Sequence, residues 1–107
     1  MEIKTEKLPN GIVIHAHGRI DSVTAPALET AVLPLIPNHK RLILNLQSVE
    51  FVSSAGLRVF LMIAKASTRE QSRFVICGAN ESINDVIEMS GFGTILNVSA
   101  TVAQALE

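Results

Sequence analysis

Two adjacent serines, Ser53 and Ser54, stand between an apolar run and the start of a helix-like one in Val49-Glu50-Phe51-Val52-Ser53-Ser54-Ala55-Gly56-Leu57-Arg58-Val59-Phe60-Leu61. A hydroxyl at such a junction can accept a bond from an unpaired amide of the helix's first turn. An anion attached there would meet free N–H donors and the positive end of the helix dipole. Small Ala55 and Gly56 are expected to leave that helix start open to an approaching group. On residue type alone, Ser53-Ser54 also reads as an ordinary N-cap pair, with either serine able to be the cap.

Other chemistry is thinly represented. His15 and His17 project from one strand face and could share a metal, but no Cys, Asp or third His is spaced to complete the site, and His39 would have to approach in the fold. No Gly-x-Ser-x-Gly elbow is present, and Gly91-Phe92-Gly93 follows a helix rather than opening one, so it is no phosphate-binding loop. No catalytic residue, metal or cofactor is expected. The single Cys77 lies in the apolar run Phe74-Val75-Ile76-Cys77 and is expected to be a buried, inert thiol.

The composition agrees. The formal net charge is −1 and the 9 Lys and Arg residues are scattered, whereas a nucleic-acid surface needs them concentrated. No Trp or Tyr is available to stack on bases. The start, Met1-Glu2-Ile3-Lys4-Thr5-Glu6-Lys7, has neither a basic nor an apolar region, and no stretch approaches the ~20 apolar residues of a membrane helix. Neither export nor membrane insertion is expected. At 107 residues the sequence suits one domain, residues 1–107.

The elements that must position Ser53 and Ser54 follow from periodicity. Ile12, Ile14 and Ala16 share one strand face, while Leu42-Ile43-Leu44-Asn45-Leu46 and Phe74-Val75-Ile76-Cys77 are nearly continuous apolar runs of buried strands. Between them the period lengthens. Leu28, Ala31, Val32 and Leu35 form a stripe over Ala25–Leu35, with Pro26 tolerable in the first turn and Pro34 and Pro37 ending or kinking the helix. Further helices are predicted over about Ala55–Thr68, Glu81–Ser90 with Gly91 as C-terminal cap, and Ala100–Leu106, with Thr94–Asn97 as a weak last strand. The second helix is apolar almost all round, which fits a helix wedged between sheet and neighbours or one presenting an exposed patch to a partner. The order β-β-α-β-α-β-α-β-α predicts an α/β fold: an initial β-hairpin, then a mostly parallel or mixed sheet with about four helices packed on it.

Phe51-Val52-Ser53-Ser54-Ala55-Gly56-Leu57-Arg58-Val59 resembles, position by position, the signature of the STAS-domain anti-sigma factor antagonists: an aromatic or apolar pair, a polar residue, Ser or Thr, a small residue, Gly and Leu. Gly18-Arg19-Ile20-Asp21 is similar to that family's Gly-x-Leu-Asp turn. Met89-Ser90-Gly91-Phe92, followed by Ile95-Leu96, is similar to its Met-Ser-Gly-Leu segment. The resemblance spans essentially the whole chain. It implies a STAS-like fold, a cytoplasmic location and a protein-binding switch rather than an enzyme. It implies Ser54 as phosphoacceptor, with Asp21, Ser53, Ala55 and Gly56 around the phosphosite, and Ser54, Gly56, Leu57, Arg58 and Leu61 on the partner surface. The implied partners are an anti-sigma factor that is also a serine kinase, sequestered by the unphosphorylated form, and a PP2C-type phosphatase. One departure concerns the Asp that often precedes the phosphoacceptor: Ser53 stands there, which makes it a minor rival acceptor. For Asp21, residue type alone allows a purely structural part, capping the first helix or closing the turn. A second use of the same family's domain is as a structural or regulatory subunit of a transporter or scaffold, without phosphorylation.

Overall fold

The computed structural model describes residues 1–107. Two strands open the chain, β1 (Glu2–Leu8) and β2 (Gly11–Ile20), paired antiparallel with Thr5 opposite Ile14. The chain then crosses over to β3 (Arg41–Val52), which runs parallel to β2. β4 (Arg73–Cys77) and β5 (Asn97–Ser99) add in parallel, giving a five-stranded sheet in the order β1-β2-β3-β4-β5. The predicted mixed α/β sheet is therefore present. Its register sets Ile14, Leu44 and Ile76 side by side, and Val13, Ile43 and Val75 on the opposite face.

Three crossover helices, α1 (Ala25–Val32), α2 (Ser54–Arg69) and α3 (Glu81–Met89), bury Leu28, Phe60, Ile63, Ile83 and Ile87 against the Ile14 face. Strands added always in one direction by right-handed crossovers place successive helices on one side. The other face holds a smaller cluster, Val13, Ile43, Val75 and Cys77, under Ala105 of the short α4 (Val102–Ala105). Removing a side chain such as Phe60 from water stabilises the fold by about 1.5–3 kcal/mol, which is why α2 sits where it does.

The wedge reading of α2 accounts for most of its apolar surface. Leu57, Val59, Phe60 and Ile63 are buried and Leu61 and Ala64 half-buried, leaving Met62 exposed.

Several boundaries differ from expectation for local reasons. α1 ends at Val32 rather than Leu35, and a 3-10 segment covers Leu33–Asn38, because Pro34 and Pro37 supply no N–H to an α ladder. The last strand is Asn97–Ser99, not Thr94–Asn97: residues Phe92–Thr94 form a 3-10 turn, and the amides of Ile95 and Leu96 are taken by the Phe92 carbonyl. α4 begins at Val102 rather than Ala100. Thr101 caps it by accepting from the Gln104 amide at 3.1 Å, while the Gln104 side chain accepts from the Ala100 amide at 3.2 Å, a reciprocal arrangement that holds Ala100 outside the helix. Gly91 does follow α3, with φ +81, the left-handed conformation a C-terminal glycine cap adopts.

Candidate functional site

β3 is longer than its apolar run because it continues through Gln47 and Ser48 to Val52. Against β2 it carries register shifts between His15 and His17 and between Gly18 and Arg19, so two residues of β3 are accommodated as bulges. Bulges re-aim the end of a strand. Here β3 delivers Ser53 to the carbonyl end of β2, where its amide donates to the Ile20 carbonyl at 2.8 Å.

Ser53 is the cap of α2. Its extended backbone (ψ 176) and its hydroxyl, which accepts a long 3.4 Å bond from the Gly56 amide, fit that position. Ser54 is the first residue of the helix, exposed, and its hydroxyl bonds to nothing in the chain. No histidine or carboxylate hydrogen-bonds to it or lines the groove beside it.

Gly56 does not face an approaching group. A Cβ there would lie 2.8 Å from both Ile20 Cγ2 and Val52 Cγ1, so its smallness lets the first turn of α2 pack onto the ends of β2 and β3. Ala55 is half-buried. Of the expected partner surface, Ser54 and Arg58 are exposed and Leu61 half-buried, while Gly56 and Leu57 lie beneath, Leu57 being 4% exposed.

Asp21 opens the turn between β2 and α1. Its Oδ1 accepts from the amides of Val23 at 3.0 Å and Thr24 at 3.1 Å, and its own amide donates to the Thr24 hydroxyl, which in turn donates to the Arg19 carbonyl at 2.8 Å. The structural part considered for Asp21, closing the turn, is thus filled. The Thr24 amide foremost holds its carboxyl below the usual value, partial burial works against that, and the Val23 amide, the Thr24 hydroxyl and Arg19 add to the lowering. Arg19 lies 3.9 Å from the Asp21 carboxylate and stacks 4.5 Å above the exposed Phe51 ring. That stack was not legible in the sequence, since it depends on the bulge that sets Arg19 opposite Phe51.

A groove of about 390 Å³ runs beside Ser54, lined by Leu57, Arg58, Leu61, Ser90 and Phe92. The Met-Ser-Gly segment thus borders the site through Ser90 and Phe92, a neighbourhood that no spacing rule announces. Ser90 itself is committed, donating to the Ile87 carbonyl at 2.7 Å and accepting from the Phe92 amide. Met89, beside it, is 87% exposed.

The remaining candidates are engaged elsewhere. His15 lies between Glu6 (Nε2 to Oε1, 3.0 Å) and Asn45 (Nδ1 to Nδ2, 3.1 Å). His39 instead lines a groove with Lys7 and Lys40. Cys77 is buried, and burial pushes its thiol up to about 11. No helix is long and apolar enough to cross a membrane.

Comparison with known proteins bears directly on this arrangement. A family model for the STAS domain matches residues 2–105. The chain is 30% identical over 100 residues to BtrV of Bordetella bronchiseptica, a candidate anti-sigma factor antagonist, covering 92% of this chain and 86% of that protein. It is 25% identical over 100 residues to the anti-sigma-B factor antagonist of Staphylococcus aureus, covering 92% and 93%. The crystal structure of an anti-sigma factor antagonist from Mycobacterium paratuberculosis superposes with a TM-score of 0.89 at 26% identity, over 98% of this chain and 90% of that one.

Proposed function

This chain belongs to the STAS domain family, and on that footing we propose that it is an anti-sigma factor antagonist switched by phosphorylation of Ser54. It is a regulatory binding protein, not an enzyme. Its unphosphorylated form sequesters a cognate anti-sigma factor that is also a serine kinase, and a PP2C-type phosphatase restores that form, all in the cytoplasm. The observation that carries this reading is the division of labour between the two serines: the Ser53 hydroxyl is used as the helix cap, and the Ser54 hydroxyl is exposed and unbonded on a turn fixed by the Ser53–Ile20 hydrogen bond. The names of the relatives support its coarser part, the role of anti-sigma factor antagonist.

The test is incubation with ATP and the cognate anti-sigma kinase, followed by mapping of the phosphate. One phosphate on Ser54, absent from Ser54→Ala and retained in Ser53→Ala, is the expected result. Phosphate on Ser53 would move the switch by one residue. No transfer with a kinase that modifies another substrate would remove phosphorylation from the reading.

A further inference from the structure

We infer that Arg58 is the internal counter-ion of phosphorylated Ser54, so that modification takes Arg58 out of the partner surface as well as adding charge to it. This rests on the reading of Ser54 as phosphoacceptor. Ser54 and Arg58 are four apart on α2, a spacing that brings side chains on one helix face within about 5–6 Å at Cβ. Both line the same groove, whose other walls, Leu57, Leu61, Ser90 and Phe92, carry no charge. Arg58 is exposed and takes part in none of the ion pairs of the chain. The charged side chain across from it on α1 is Glu29, which shares the groove on the other flank of Arg58 without reaching ion-pair distance.

The unmodified helix is electrostatically unfinished at this end. Its first turn holds no acidic residue, and the first charge along it, Arg58, has the sign the positive end of the dipole disfavours. A phosphoserine supplies about −1.5 to −2 charges and three acceptor oxygens one turn away from a five-donor guanidinium. Phosphate and guanidinium form the stronger, charge-assisted class of hydrogen bond. The pair forms within α2, with no change of backbone, and leaves an approaching partner with one free cation fewer.

Phosphoserine encoded directly at position 54 separates this from the question of the kinase. The measurement is a phosphorus NMR titration at low ionic strength of the phosphorylated wild type, Arg58→Gln, Arg58→Lys and, as control, Lys65→Gln, an exposed cation further along α2. A cation beside the phosphate favours its dianion. The second ionisation constant should therefore be roughly two- to five-fold larger in the wild type than in Arg58→Gln, largely restored in Arg58→Lys, and unchanged by Lys65→Gln. Equal constants in wild type and Arg58→Gln, or an equal drop in Lys65→Gln, would overturn the assignment. Absence of phosphate on Ser54 after kinase treatment would bear on the proposed function instead.

Discussion

The Ser53 amide donates to the Ile20 carbonyl at 2.8 Å, tying the residue that caps α2 to the residue that ends β2. Asp21 follows Ile20 directly, so the turn it closes and the first turn of α2 are held as one piece. Arg19 stacked on Phe51 joins the same two strand ends on the outer side. Ser54 thus sits on a braced junction, which suits the proposed modification, a change of charge without a change of fold.

Gly56 is the tightest point of that junction. In an exposed helix Gly→Ala would gain about 1 kcal/mol from propensity. Here the added methyl would meet Ile20 Cγ2 and Val52 Cγ1 at 2.8 Å and the Ile20 carbonyl at 3.1 Å. Overpacking of this kind costs about 1–3 kcal/mol, so the steric effect wins. Gly56→Ala should lower the midpoint of urea unfolding; a variant as stable as wild type would show that the strand ends yield easily.

The sequence carried the fold wherever a burial pattern was strong. Leu42-Ile43-Leu44 and Phe74-Val75-Ile76-Cys77 are buried on both faces and could be little else than central strands. Periodicity failed where the chain is short or its hydrogen bonds are non-local. The three-residue β5 has too few side chains for a period, and the continuation of β3 through polar Gln47 and Ser48 depends on pairing with β2. At the site, the tract containing Ser54 was legible, but the choice of Ser53 as cap and the inward use of Gly56 come from the approach of Ile20, which no local pattern encodes.

Loss of the Ser53 cap should be mild. The bond to the Gly56 amide is long, 3.4 Å, so Ser53→Ala belongs at the low end of capping effects, about 0.5–1 kcal/mol. Hydrogen exchange should quicken at the Gly56 amide while the core of the sheet is unchanged. Slowing or no change at that amide would mean that the hydroxyl contributes nothing to the cap.

Asp21 should make stability depend on acid. Its carboxyl titrates below the unfolded value of about 3.9, so its contribution is complete above that value and is lost as pH falls through the lower folded value. Asn keeps an oxygen for the Val23 and Thr24 amides but removes the charge. The difference in urea midpoint between wild type and Asp21→Asn should be constant from about pH 7 to about pH 5 and shrink below about pH 4. A difference that does not vary with pH would assign the turn's stability to shape alone.

The proposed switch at Ser54 gives the largest expected effect. A phosphate on Ser54 adds about −1.5 to −2 charges to a surface that otherwise presents a neutral hydroxyl, Arg58 and half-buried Leu61. The domain should tolerate it, since the hydroxyl is exposed and neither the Ser53 cap nor the Ile20 bond involves it. A partner packed against Ser54 must desolvate the dianion, and the one cation lining the groove beside it is Arg58, already paired within the helix in our assignment. A penalty of about 3 kcal/mol weakens binding more than a hundredfold. Titration of the anti-sigma kinase should therefore show wild type and Ser54→Ala binding alike, Ser54→Asp binding weakly and the phosphorylated protein weakest, with thermal melts of all four close together. Equal affinities across the set would mean that the surface around Ser54 is not where the partner docks. A phosphorylated protein that melts well below wild type would mean that the switch works by unfolding.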